Sequence, residues 1–173
     1  GERIGLVGVN GSGKTTLLRA LAGEYPLAAG RRIEGRTVRL GWLRQELDDL
    51  DPDMRLLDAV EEVASYVQLG KKELSAAQLA ERLGFSPKRQ RTPIKDLSGG
   101  ERRRLQLTRV LMSEPNVLLL DEPTSNLDAL NEGVILKSLR DQAGERTIVL
   151  VSHRASTLAF ADTVMEMESG RAS

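Results

Sequence analysis

Residues 117–120 (Val117, Leu118, Leu119, Leu120) and 148–151 (Ile148, Val149, Leu150, Val151) are apolar at every position. Each run is too short for a helix, so both read as strands buried on two faces, as in a parallel sheet. Residues 3–7 form a third short apolar run that meets a glycine-rich turn, after which 15–21 reads as a helix closed by Gly23. Residues 37–43 set Val38, Leu40 and Trp42 against polar neighbours, the period of a half-buried strand, and lead into Gln45 and a solvated acidic loop at 48–53. Leu56, Leu57, Val60, Val63 and Val67 stand at helical spacing and predict a helix over 55–67; Ser75 caps a second over 76–83, ended by Gly84. A longer helix is predicted over 99–112, then a break at Pro115, a helix over 131–139, a strand over 147–151 and a last strand over 164–167. Strands and helices alternate in both halves, which predicts an α/β fold with a mostly parallel sheet flanked by helices. The segment 55–113 is expected as an inserted helical subdomain, with 1–54 and 114–173 forming the core of a single domain.

The length of 173 residues suits one domain with a substantial core. Formal net charge is zero, so composition gives no sign of a polyanion-binding surface. The chain has no cysteine, which removes disulfides, thiolate metal sites and cysteine nucleophiles, and its one histidine, His153, makes a histidine-rich metal site implausible. No apolar run approaches the roughly 18 residues that cross a bilayer. The sequence begins at Gly1 without an initiator methionine or a signal segment and reads as an excised or processed piece.

Gly8-Val9-Asn10-Gly11-Ser12-Gly13-Lys14-Thr15 fits the phosphate-loop pattern in full, between a strand and a helix start. The glycines let consecutive N–H groups turn toward phosphates, the helix dipole adds positive potential, Lys14 supplies a point charge and Thr15 a hydroxyl for Mg²⁺. Asp121 and Glu122 end the run 117–120 at the carboxyl edge of the sheet, where open α/β folds bind ligands. That position suits Asp121 to hold Mg²⁺ through its waters and Glu122 to polarise an attacking water. Leu97-Ser98-Gly99-Gly100-Glu101 is by itself an ordinary capped helix start, but its place between the loop and the Asp121 strand makes it a second N-terminus able to face phosphate. Arg102-Arg103-Arg104 and Lys71-Lys72 read as solvated faces, and Arg31, Arg32, Arg36 and Arg39 as a solvated basic strip.

On these residues the chain resembles the ATP-binding cassette ATPases along nearly its whole length. Residues 8–15 resemble their Walker A loop, Gln45 the Q-loop glutamine, 97–101 the signature motif, 117–122 the Walker B strand, Ser125-Asn126-Leu127-Asp128 the D-loop and His153 the switch histidine. The resemblance implies a P-loop NTPase fold with an ABC-type helical subdomain, ATP and Mg²⁺ as ligands, and ATP hydrolysis, slow in a lone cassette. It implies nucleotide contacts from Gly8, Val9, Asn10, Gly11, Ser12, Gly13, Lys14, Thr15 and Thr16. Mg²⁺ contacts would come from Thr15, Gln45 and Asp121, and catalytic parts from Lys14, Gln45, Glu122 and His153. Cassettes of this family pack head to tail, so Ser98, Gly99, Gly100 and Glu101 would meet the nucleotide of a second cassette, in a homodimer or a linked chain.

Up to Thr124 the sequence resembles ABC-F translation factors, notably in Ser98-Gly99-Gly100-Glu101-Arg102-Arg103-Arg104-Leu105. From Ser125 onward it resembles exporter cassettes, with Arg154 where ABC-F chains usually carry Asp. The first resemblance implies a ribosome or RNA partner, the second a transmembrane transporter subunit, and both a cytoplasmic location. A recombined or engineered cassette with a seam at 124–126 is the corresponding expectation. Cassettes of this family also carry upstream strands with an aromatic residue that stacks on adenine, a place neither Tyr25 nor Trp42 occupies. A nucleotide-binding, non-hydrolysing module therefore stands as the alternative to an ATPase.

Overall fold

The computed structural model describes residues 1–173 apart from 46–49, 70–71, 126, 143, 145, 169–170 and 173; Asn126, Lys71, Gly170 and part of the acidic stretch lie outside the described residues. In chain order the elements are β1 (Arg3–Val7), α1 (Lys14–Leu21), β2 (Leu40–Leu43), α2 (Leu56–Glu61), β3 (Tyr66–Leu69), β4 (Lys72–Ser75), α3 (Ala76–Arg82) and α4 (Pro87–Gln90). There follow α5 (Gly99–Met112), β5 (Val117–Asp121), α6 (Ala129–Gln142), β6 (Thr147–Val151), α7 (Ala155–Leu158), β7 (Thr163–Glu168) and β8 (Arg171–Ala172).

Six strands form one sheet in the order β2-β5-β6-β1-β7-β8, parallel except for the last pair. The two-sided apolar runs follow from burial on both faces. Leu118 and Leu120 of β5 and Ile148 and Leu150 of β6 join one apolar cluster, while Leu119, Val149 and Val151 join another on the opposite face. In β2 Leu43 belongs to the first cluster and Leu40 and Trp42 pack on the second, so this strand is covered on both sides and not half-exposed. It also starts at Leu40, three residues later than its alternation predicts. The larger cluster runs without a break from the sheet into 56–112 through Leu56, Leu79, Phe85, Leu105 and Leu111. Burying such side chains is worth about 1.5–3 kcal/mol each.

The helix expected over 55–67 ends at Glu61, and Tyr66–Leu69 is a strand paired antiparallel with β4. Helical spacing from Leu56 to Val60 continues to Val63 and Val67 by coincidence. Over 66–68 period two wins: Tyr66 is exposed, Val67 is buried opposite Leu74, and Gln68 is exposed again. The other expected helices are present, α3 with the capping box of Ser75 and Gln78, and α6 starting two residues earlier than predicted. Helix α5 lies across β2 at Gly41, where a Cβ would come within 2.8 Å of Val110 and 2.9 Å of Pro115. Only glycine permits that approach.

Candidate active site

Because β1, β2, β5 and β6 run parallel, their carboxyl ends share one edge of the sheet. That edge collects the loop after Val7, Gln45 after β2, Asp121 and Glu122 at the end of β5, and His153 after β6. Asn10, Gly11, Gly13, Lys14, Thr15, Thr16, Gln45, Asp121, Glu122 and His153 line one cleft of about 410 Å³. Gly8, Val9 and Ser12 are not in its wall but build the loop behind it.

The loop takes its shape from positive φ at Gly11 and Gly13 and from a close approach at Gly8, where a Cβ would lie 2.5 Å from the Met167 carbonyl. Gly13 precedes α1 in the left-handed region and, among the described residues, no side chain caps that helix, which leaves its first amides directed outward as an anion-binding end. Lys14, only 8% exposed, donates to the carbonyls of Gly8 at 2.7 Å and Val9 at 2.9 Å, so its ammonium spans the loop. The Thr15 hydroxyl donates to Asp121 Oδ2 at 2.8 Å, joining α1 to β5 at the foot of the cleft.

Glu122 has φ 50, in the left-handed region, and turns its side chain back toward the cleft, with Oε1 3.2 Å from His153 Nε2. Burial pushes its carboxyl above the ordinary glutamate range, and neighbouring Asp121 pushes the same way; His153, Lys14 and Arg103 oppose both. A carboxylate raised in this manner is suited to accept a proton.

The signature residues are elsewhere. Ser98, Gly99, Gly100 and Glu101 contribute nothing to the wall of this cleft. Ser98 and Gly99 lie exposed at the start of α5, which is closed by a capping box: Ser98 Oγ accepts from the Glu101 amide, and Glu101 Oε2 accepts from the Ser98 amide. Arg89 donates to both Glu101 oxygens at 2.6 Å. That bidentate pair, with help from Ser98, holds the Glu101 carboxyl down at about 2. A depressed carboxyl stabilises the fold fully above its unfolded value, here 4.5, and that stability is lost as pH falls through the folded value. Arg89→Ala is accordingly expected to cost about 1–2 kcal/mol at neutral pH. Urea midpoints of the two proteins should converge between pH 4.5 and about 2.

One sequence reading is corrected by these contacts. The arginine triplet is not a solvated face: Arg103 is buried, Arg104 lies 4.7 Å over the Phe85 ring and donates to the Leu83 carbonyl, and Arg102 donates to the Lys95 carbonyl. Arg103 donates to the carbonyls of Asp121 at 2.7 Å and Glu122 at 3.1 Å and to that of Arg44, whose own guanidinium stacks 4.0 Å over Trp42. The sequence carried a signal for this, since Arg103, Leu107 and Leu111 follow the i, i+4, i+8 spacing of one buried helix face. The basic strip is exposed as expected, although Arg32 bonds to the Leu21 carbonyl and Arg39 to that of Glu114. Arg154 donates to Glu132 of α6 and to the Leu127 carbonyl, while Ser156 and Thr157 donate to the other Glu132 oxygen. The residue beside His153 thus anchors the segment after Glu122. Among the described residues no helix is long and apolar enough to cross a membrane.

The profile of the ABC transporter family matches residues 1–125. Over 154 residues the chain is 43% identical to the uncharacterized ABC transporter ATP-binding protein YfmR of Bacillus subtilis (strain 168), covering 88% of this chain and 24% of that protein. It is 35% identical over 150 residues to the energy-dependent translational throttle protein EttA of Mycobacterium tuberculosis (strain CDC 1551 / Oshkosh), covering 87% of this chain and 26% of that one. The structure of a bacterial Atm1-family ABC exporter with ATP bound superposes with a TM-score of 0.79 at 29% identity, over 99% of this chain and 33% of the exporter. The chain therefore spans about a quarter of these curated relatives. With a matched profile over most of its length and a parallel sheet that brings the loop and the acidic strand end together, the chain belongs to the ABC transporter family as an ABC ATPase nucleotide-binding domain.

Proposed function

We propose that this chain binds Mg²⁺-ATP in the cleft and hydrolyses it, paired head to tail with a second cassette. The observation that carries the reading is the convergence of Lys14, Thr15, Gln45, Asp121, Glu122 and His153 on one cleft behind a phosphate loop. The loop amides from Gly8 to Thr16 and the Lys14 ammonium receive the phosphates. Thr15 Oγ1 and Asp121 Oδ2, 2.8 Å apart, are the hard oxygen donors that Mg²⁺ prefers, and Gln45 adds a neutral one. Two or three protein oxygens are the donor number expected for a metal that shares its shell with phosphate and water; bound there, it would offset the charge of the β- and γ-phosphates. Glu122 takes a proton from water as the water oxygen bonds to the γ-phosphorus and the bond to the departing ADP oxygen breaks. His153, 3.2 Å from Glu122, orients that carboxylate and reaches the γ-phosphate.

Under the same reading the exposed signature end serves the partner's nucleotide, residues 1–54 and 114–173 form the nucleotide-binding core with 55–113 as the helical subdomain, and the chain works in the cytoplasm. The likeness to EttA favours a translation-associated cassette with a ribosomal or RNA partner. Coverage of 99% of the chain by the Atm1-family exporter favours the second reading, the motor of a transporter with transmembrane subunits.

Complementation tests the pairing. A Cβ at Gly99 would meet no described atom within 4 Å, so Gly99→Asp should fold while placing a carboxylate where the partner's phosphate arrives. Gly99→Asp and Lys14→Ala are each expected to be inactive, and their mixture to regain part of the wild-type turnover, since a mixed dimer holds one site with both halves intact. Wild-type turnover by Gly99→Asp alone, or no recovery in mixtures shown by cross-linking to contain mixed dimers, overturns the head-to-tail arrangement.

A further inference from the structure

Resting on the reading of Glu122 as the group that receives the proton, we propose that Arg103 is a positioning residue for hydrolysis, holding the Glu122 backbone in the turn that aims its carboxylate at the cleft. Arg103 belongs to α5 and is not part of the cleft wall. Its guanidinium instead gathers three backbone carbonyls from two segments: Asp121 and Glu122 at the end of β5, and Arg44 immediately before Gln45. Gln106, one turn further along α5, accepts at 3.2 Å and keeps the fork in place.

Among the described residues, Glu122 is one of two non-glycine positions with positive φ, a conformation that persists only where the surroundings hold it. Its amide donates to the Val151 carbonyl at 3.1 Å on one side, and its own carbonyl accepts from Arg103 on the other. The planar fork suits this role, because five donors in fixed directions can bind several carbonyls at once where a lysine offers one point charge. By bridging Arg44 to Glu122 the buried guanidinium also fixes the spacing between Gln45 and Glu122, the two cleft residues that flank it.

The test compares Arg103→Met and Arg103→Lys with wild type in steady-state ATP hydrolysis, nucleotide binding and thermal unfolding. For Arg103→Met the expectation is a fall in kcat of about tenfold or more with KM and nucleotide affinity nearly unchanged, since misplacing a catalytic group by a fraction of an ångström has effects of that order. Arg103→Lys keeps the charge without the fork, so its kcat should stay reduced as well, again with KM nearly unchanged. A lowered Tm with wild-type kcat in Arg103→Met overturns the proposal and leaves Arg103 as a packing residue. If Arg103→Met does not fold, Arg103→Lys decides, and wild-type kcat there overturns it as well. Failure of the underlying reading looks different: Glu122→Gln would then turn over ATP like wild type, whatever the Arg103 variants do.

Discussion

Glu122→Gln is expected to lower steady-state phosphate release by about 10²–10⁴-fold while Mg²⁺-ATP still binds. The amide has the shape of the carboxylate and keeps one oxygen near His153, but it cannot take the proton of the attacking water. Stability should move the opposite way. The Glu122 carboxyl titrates above its unfolded value because burial penalises its charge, so at neutral pH the ionised side chain costs the folded state something that the neutral amide does not. Between the two values the folded state binds more protons than the unfolded one, and stability therefore falls as pH rises through that window. Glu122→Gln removes this dependence, and its Tm at neutral pH should equal or exceed that of wild type. An inactive variant with undiminished Tm separates a chemical role from a structural one; phosphate release unchanged at high protein concentration would remove Glu122 from the reaction.

Lys14→Ala has the largest expected effect on binding. Lys14 is 8% exposed and its ammonium is held at 2.7 and 2.9 Å by two loop carbonyls, so its charge is fixed at the centre of the loop and screened little by solvent. A hydrogen bond to a charged group is worth about 1.5–3 kcal/mol, and with contacts to two phosphates lost, a decrease in affinity of about 100-fold or more is expected. Titration with a fluorescent ATP analogue measures it. Unchanged affinity would dismiss residues 8–15 as the phosphate site. The variant also deprives the Gly8 and Val9 carbonyls of a donor, so unfolding should be followed in parallel to show that the loop, and not the whole fold, is affected.

The phosphate loop and the acidic strand end were legible because a few adjacent residues supply every part they need. Glycines give the backbone its shape, one lysine and one hydroxyl follow, and two carboxylates close a strand apolar on both sides. Parallel pairing then follows from that two-sided pattern, and with it the gathering of Gln45, Asp121, Glu122 and His153 at one edge. Local spacing failed where two periods fitted the same letters. Val63 and Val67 continue a helical rhythm, yet the cross-strand pair of Val67 with Leu74 decides the segment, and such a partner lies beyond any local window. Arg103 was missed for a different reason. Charge composition alone assigns three adjacent arginines to solvent, whereas its position on the face of Leu107 and Leu111 assigns the middle one to the interior, and only the carbonyls it meets there explain how that burial is tolerated.

The contact at Gly41 sets where α5 can stand. Its far end is pressed against β2 at Val110, with Pro115 just beyond, leaving no room for one methyl group, and its buried face continues back to Arg103. Fourteen residues make a rod about 21 Å long. At its other end Ser98 and Gly99 are exposed, while Arg89 holds Glu101 and a Cβ on Gly100 would come within 2.8 Å of Asn131. One helix thus carries the exposed Ser98 and Gly99 end and, four residues on from Gly99, the guanidinium on which the carbonyls of Arg44, Asp121 and Glu122 rest.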